Sequence, residues 1–351
     1  MFPTPFAKSS SKSSKPSATE ICMNASREQF QEHVLGFLWR QWSALGVAGQ
    51  SQSVDRWMLD PEALLLTTTS LGRDPRLFDE VLDWLNTNGQ FINLQRLQNL
   101  SQRFGDVTVL QAMAAHLARR SVHAKWKTLL REKPTVAEAQ PLFPGVPVIG
   151  LPDELFARHG WLRGPLTLRQ LSQSADPHRP TNFLIKLRAL FGMQARAEVM
   201  AYLLAEESGH PSEMAVRLAY FPRTLQTTLN DLARSGHLQC RREGQEKRFW
   251  LRRDDWRFLL TWAAASGESA PEFPRWVDWA PLFVALESVA RFLNRPDLEH
   301  APPAVQAIEL RACLDTLDPV FLRERIYVPP AATGAAYVEA VLGELHRLLN
   351  G

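Results

Sequence analysis

Cysteine is scarce in this chain. Its 351 residues include three, Cys22, Cys240 and Cys313, and no two stand at the spacing of a metal site. A sparse, odd set argues against a disulfide scaffold and fits a reducing cytoplasmic compartment. Long apolar runs are missing as well: no stretch approaches the roughly 18 residues of a membrane helix, and Met1 to Glu20 has no apolar centre, so it is not a secretory signal. There is no phosphate-binding glycine loop, no nucleophile elbow and no zinc-protease helix. The nine histidines are scattered; His116 and His123 could share a helical face but have no cysteine or carboxylate beside them. The expectation is a protein that is not an enzyme, with no catalytic residues, no metal and no cofactor. Charge is also modest, at a net +3, which does not imply nucleic acid unless it clusters.

What the chain does have is material for a packed core: 45% hydrophobic residues and 11 tryptophans. Residues 1–24, rich in serine with scattered lysines, are expected to form a disordered tail, with the first 22 an extension ahead of a second start at Met23. Residues 25–132 read as a helical domain. Phe30, Val34, Leu38 and Trp42 recur every four residues behind a capping-box pair, Ser26 and Gln29. Leu77, Phe78, Val81, Leu82 and Leu85 mark one apolar face, and Leu94, Leu97 and Leu100 another. These two segments could be a degenerate helix-turn-helix without a basic wing, serving interaction or dimerisation. Asp79, Glu80 and Asp83 are expected to be a solvated face. Residues 133–160, with five prolines at 134, 141, 144, 147 and 152, are expected to be a linker. Residues 161–193 are expected to be a helical connection with one loop at 174–180, and 255–351 a C-terminal helical region with helices near 255–265, 277–294, 303–316 and 335–349.

The best-patterned segment is 194–254. A helix with Val199, Leu203 and Leu204 apolar runs to Gly209. Pro211-Ser212-Glu213 opens a second helix, with Met214, Ala215 and Leu218 inward. Tyr220-Phe221-Pro222 makes a turn into a third, from Arg223 to Arg234, ended by Gly236. Leu238 and Cys240, then Phe249 and Leu251, alternate on two short strands joined across Glu243-Gly244-Gln245-Glu246, a hairpin signal; Cys240 is expected to face inward. Three helices and a hairpin in this order form a winged helix-turn-helix. Over this fifth of the chain, Ser212 to Ala215, Thr224 to Leu232, Gly236-His237-Leu238 and the wing from Gly244 to Leu251 resemble winged-helix regulators of the ArsR/MarR kind. The resemblance implies a DNA-binding fold. The metal-ligand constellation of some such regulators is absent, so metal sensing does not carry over. The fold class expected for the whole is mainly α, with helical N- and C-terminal regions around a central winged helix-turn-helix and its small β-hairpin wing.

With Leu225, Leu229 and Leu232 inward, the outer face of the third helix carries Arg223, Thr227, Asn230 and Arg234, flanked by Thr224 and Gln226. These side chains suit a major groove: arginine pairs with guanine, glutamine and asparagine with adenine, and threonine reaches phosphate or a thymine methyl. Arg241, Arg242, Gln245, Lys247 and Arg248 crowd the wing, which would track backbone phosphate or a minor groove. Asp231 is expected to pair with Arg234 three residues on. Between Arg217 and Arg253 nine Lys and Arg stand against three acids, so the rest of the chain is slightly negative and the basicity is focused. The expected function is a sequence-specific double-stranded DNA-binding transcriptional regulator, a repressor and homodimer on a palindromic site, with no membrane contact. Besides an enzyme whose site is assembled from residues that no motif marks, two other readings stay open. One is an antitoxin or defence-system regulator gripping a partner protein through its helical flanks. The other is a winged-helix docking subunit that binds no DNA, since the fold alone does not dictate function.

Overall fold

The computed structural model describes residues 18–49, 57–119, 121–130, 138–244, 246–260 and 272–350, with backbone alone at 18–22, 121–123 and 243. In chain order it has α1 (Ala18–Ala44), α2 (Pro61–Ser70), α3 (Pro75–Asn88), α4 (Leu94–Leu100), α5 (Val107–Leu117), β1 (Gln140–Pro141), α6 (Glu154–Arg158), β2 (Trp161–Leu162), α7 (Phe183–Phe191), α8 (Ala195–Ala205), α9 (Pro211–Leu218) and α10 (Pro222–Arg234). These are followed by β3 (Gln239–Glu243), β4 (Glu246–Trp250), α11 (Trp279–Leu293), α12 (Pro296–Glu299), α13 (Pro303–Leu314), α14 (Asp318–Arg323) and α15 (Gly334–Asn350). The architecture is mainly helical. β1 and β2 form a parallel pair, β3 and β4 an antiparallel one.

Local chemistry starts the helices where the sequence offers a cap. Asp60 accepts from the Ala63 amide at 3.0 Å, Asp74 from Leu77 at 2.8 Å and Asn93 from Arg96 at 3.1 Å. Proline occupies the first turn of α2 and α3, where its missing N–H costs nothing. α2 is buried on every side from Pro61 to Thr69, which places it at the centre of the helical body. Its Thr67 and Thr68 hydroxyls donate back to the Ala63 and Leu64 carbonyls, so three consecutive threonines can sit in a core.

Two cores result. The larger joins both ends of the chain: α1 packs on α2, α11 and α15, and α11 packs on α13. Trp42 and Trp84 meet edge to face at 5.3 Å, their indole N–H groups donating to Thr68 and to the Leu45 carbonyl. The smaller core belongs to α7 through α10 and the β3–β4 hairpin, with Trp256 and Trp276 from beyond it.

Several expectations are corrected. α1 begins at Ala18, so Ser26 lies inside the helix and residues 18–24 are no tail; residues 1–17 lie outside the described residues. From residue 138 on, the proline-rich stretch is packed and is no linker, while 133–137 lie outside the described residues. Leu142, Phe143 and Phe156 are buried in the larger core, and Phe143 and Phe156 each meet Phe78 at 5.7 Å, with the Arg163 guanidinium over all three rings. Residues 161–173, expected to be helical, carry no helix and strap across α3, while the expected loop at 174–180 contains a turn at 177–178. Asp83 takes the amides of Gln170, Leu171 and Ser172, Glu80 takes Arg169, and Asp79 pairs with Arg163 at 2.7 Å. The acids read as a solvated face are therefore covered: Glu80 and Asp83 are 3% and 2% exposed. The strap also passes the end of α1, where a Cβ on Gly46 (φ +101°) would come within 2.5 Å of the Gln173 carbonyl oxygen. The expected helix near 255–265 is a 3-10 turn, Arg253–Leu259, and residues 261–271 lie outside the described residues. No helix among the described residues is long and apolar enough to cross a membrane.

Candidate nucleic-acid interface

α8, α9 and α10 form three short helices whose boundaries match the local signals. Pro211 and Pro222 start the second and third, Ala219 turns the chain between them with φ 56° and ψ 44°, and Gly236 (φ +79°) follows the end of α10. Met214, Leu218, Leu225 and Leu229 close the interior between the helices. β3 and β4 pair with Cys240 opposite Phe249 and Arg242 opposite Lys247. A third chain segment joins them, because Gly209, between α8 and α9, exchanges both backbone hydrogen bonds with Phe249, at 2.8 and 3.0 Å. The hairpin is thereby sewn to the helices by β4, and Phe249, wholly buried, fills the seam.

The outer side of α10 is open. Arg223, Thr224, Thr227 and Arg234 are exposed, while Gln226 and Asn230 are half-buried and bond to each other at 3.3 Å. The structure thus puts all six on one solvent-facing side, with the amide pair on its flank. Arg234 pairs with Asp231 at 3.2 Å, as the three-residue spacing predicts. On the hairpin Arg241, Arg242 and Lys247 are exposed and Arg248 half-buried; the Arg242 Nε donates to the Gly244 carbonyl at 3.1 Å, and Arg248 reaches the Ser208 hydroxyl at 3.5 Å. Gln245 lies outside the described residues. Cys240, expected inside, is exposed; Leu238, Phe249 and Leu251 take the buried positions. Among the described residues no three His, Cys, Asp or Glu side chains gather as a metal site would require.

The helical body holds this unit at two places that single-residue patterns do not reveal. The first is the turn ahead of α10. From α4, Arg96 Nε donates to the Leu218 carbonyl at 2.9 Å, Asn99 to the Ala219 carbonyl at 2.9 Å, and Asn93 to the Tyr220 hydroxyl at 2.6 Å. Arg96 also binds Asp60 and Glu62, and Arg188 of α7 bridges Glu62 and Glu198, both at 2.7 Å. Burial alone would raise the Asp60 carboxyl; the Arg96 guanidinium outweighs it and holds the group below its ordinary range. The second place is Arg217 of α9, which bonds Asp278 at 2.8 Å, the Tyr202 hydroxyl at 2.7 Å and Glu206 at 2.9 Å. Burial followed by the carboxylates of Glu213 and Glu206 pushes the Tyr202 phenol upward, so it stays protonated beside Arg217. Arg96, Arg188 and Arg217 carry no sequence mark that separates them from surface arginines.

Compared with known proteins, the chain matches no family model, no curated protein and no solved structure.

Proposed function

We propose that residues 194–253 are a winged helix-turn-helix and that the protein is a sequence-specific double-stranded DNA-binding regulator, acting as a repressor by occupying its site. α9 and α10 supply the helix-turn-helix, α10 enters the major groove, and the β3–β4 hairpin is the wing along the backbone. The observation that carries the reading is the pairing of an open polar outer face on α10 with a basic hairpin fixed beside it through Gly209 and Phe249. Arg223, Thr227, Asn230 and Arg234 would meet base edges, with Thr224 and Gln226 flanking. Arg241, Arg242, Lys247 and Arg248 would meet phosphates. A cytoplasmic homodimer on a palindrome, its half-sites about one helical turn apart, is the assembly that follows for this class.

A gel shift with the full chain on random duplex and on the DNA upstream of its own reading frame, at two salt concentrations, tests this. Salt-sensitive binding that prefers the upstream DNA is expected. Charge reversal at Arg241, Arg242 and Arg248 should weaken binding to every duplex and flatten its salt dependence. Gln226→Ala or Asn230→Ala should change sequence preference instead. No binding to either duplex at low salt abandons the reading in favour of a protein-docking unit. That second reading, and the partner-gripping regulator, draw support from exposed apolar side chains on the flanks, notably Ile149 and Leu151 at 79% and 84%.

A further inference from the structure

A groove of about 610 Å³ runs between the first turn of α8 and the flank of α10. Its walls include Gln194 and Arg196 on one side and Arg223, Thr224, Thr227 and Asp231 on the other. We infer that this groove seats a phosphate of the DNA backbone and that Arg196 is a DNA contact outside both the recognition helix and the wing. The inference rests on the DNA-binding reading above.

The charge balance of the groove favours an anion. Arg196 and Arg223 are exposed and have no ion-pair partner among the described residues, whereas the one acid on the walls, Asp231, already pairs with Arg234. Thr224 and Thr227 are exposed and line the same groove as the two arginines. Thr228, by contrast, turns its hydroxyl back onto the Thr224 carbonyl at 3.0 Å and is not available. Two cations and two hydroxyl donors around one opening are a phosphate-binding set. Continuity chooses a backbone phosphate over a free anion: Arg223, Thr224 and Thr227 belong both to the groove and to the outer face of α10. A duplex with α10 in its major groove must run a strand along one flank of that helix, and this flank carries two exposed arginines with no ion-pair partner among the described residues. Arg196 stands outside the basic run from Arg217 to Arg253, so charge counting along the sequence does not single it out.

Arg196→Gln in the full chain is the test, with affinity measured on the upstream duplex and on random duplex across a salt series. Affinity should fall about three- to tenfold on both duplexes alike, and the slope of log K against log salt should flatten by about one contact's worth, roughly 0.9. Arg196→Lys should restore much of the loss. Asp231→Asn, which removes the groove's one acid, should move both readouts the opposite way. An unchanged thermal midpoint is expected because Arg196 is exposed, and it separates the effect from misfolding. If Arg196→Gln leaves affinity and slope untouched while Arg242→Gln with Lys247→Gln weakens binding, the groove inference is wrong and the DNA reading stands. If Arg196→Gln changes which sequence is preferred, Arg196 touches a base and the phosphate seat is overturned. If the wild-type chain binds neither duplex, both the reading and the inference fall.

Discussion

Arg188 is fully buried with Glu62 and Glu198 on either side of it, and the Phe91 carbonyl takes a further bond at 2.8 Å. Arg188→Met removes the cation, leaving Glu198 without its ion-pair partner and Glu62 with Arg96 alone, in a dry site. The cost should be about 3–5 kcal/mol of unfolding free energy. Arg234→Ala, which breaks the exposed pair with Asp231, should cost less than about 1 kcal/mol. Equilibrium urea denaturation of the two variants compares them, and similar small losses would mean the buried cluster is not what holds the unit in place. A second residue-scale device joins the ends of the chain. His33 on α1 and His346 on α15 approach Nδ1 to Nδ1 at 2.7 Å, so one can donate only while the other stays neutral. Burial first, then the neighbouring His346, lowers the His33 pKa below its ordinary 6.5; Arg40 acts the same way, and Glu32 opposes them. Glu339 lines the same hollow. A histidine whose folded pKa is depressed contributes stability that is complete above pH 6.5 and is lost as pH falls below that value through the folded pKa. The thermal midpoint should therefore drop between pH 7 and pH 5 more steeply in the wild type than in His346→Gln, whose neutral side chain removes the repulsion.

At the scale of elements, the β3–β4 hairpin depends on Gly209 as much as on its own turn. Gly209 has an ordinary φ, but a Cβ there would lie 2.4 Å from the Met214 sulfur and 3.1 Å from the Tyr202 ring. Both side chains are buried and cannot swing away freely. Gly209→Ala should destabilise the fold by about 1–3 kcal/mol through overpacking, seen as a lower denaturation midpoint. A neutral result would show that α8, α9 and β4 are looser than their packing implies. These central elements were legible in the sequence because short-range signals fix them: proline at the first turns of α9 and α10, Gly236 after α10, Gly244 in the hairpin, and leucines at helical spacing. The strap over α3 was not. Its leucines at 166 and 168 alternate inward past an exposed Thr167, a period of two that is too brief to outweigh a helical reading. What keeps it out of a helix is remote in sequence: Asp83 takes the amides of residues 170–172 that a helix would use internally. The same distance hid the burial of Glu80 and Asp83. Periodicity says which residues share a face, and only the partner segment decides whether that face is wet.

Across the whole molecule, the candidate DNA-reading unit is not a bead on a string. Its core extends past residues 194–254 to Phe183, Leu184 and Leu187 of α7, to Met58 ahead of α2, and to Trp256 and Trp276 on the C-terminal side. Its charges are completed from outside as well: Glu198 by Arg188, Arg217 by Asp278, and the Leu218 and Ala219 carbonyls by Arg96 and Asn99. The site residues on α10 and the hairpin could be read locally, while the groups that orient them come from residues up to 127 positions away. Cutting the chain at 194 and 254 would expose the α7-facing side of α8 and strand Glu198 without its cation. Such a fragment should show helix in the far-ultraviolet but no cooperative urea transition and little near-ultraviolet signal from its aromatic side chains. The full chain should unfold cooperatively under the same conditions, with the aromatic signal of Tyr202 and Trp250 lost together with that of the body. A sharp transition in the isolated fragment would mean that the buried arginine contacts are dispensable and that the unit folds as an autonomous domain. The absence of one would place the helical body inside the folding requirement of the unit and make the grip of α4 on the turn before α10 a route by which the body can set the position of α10.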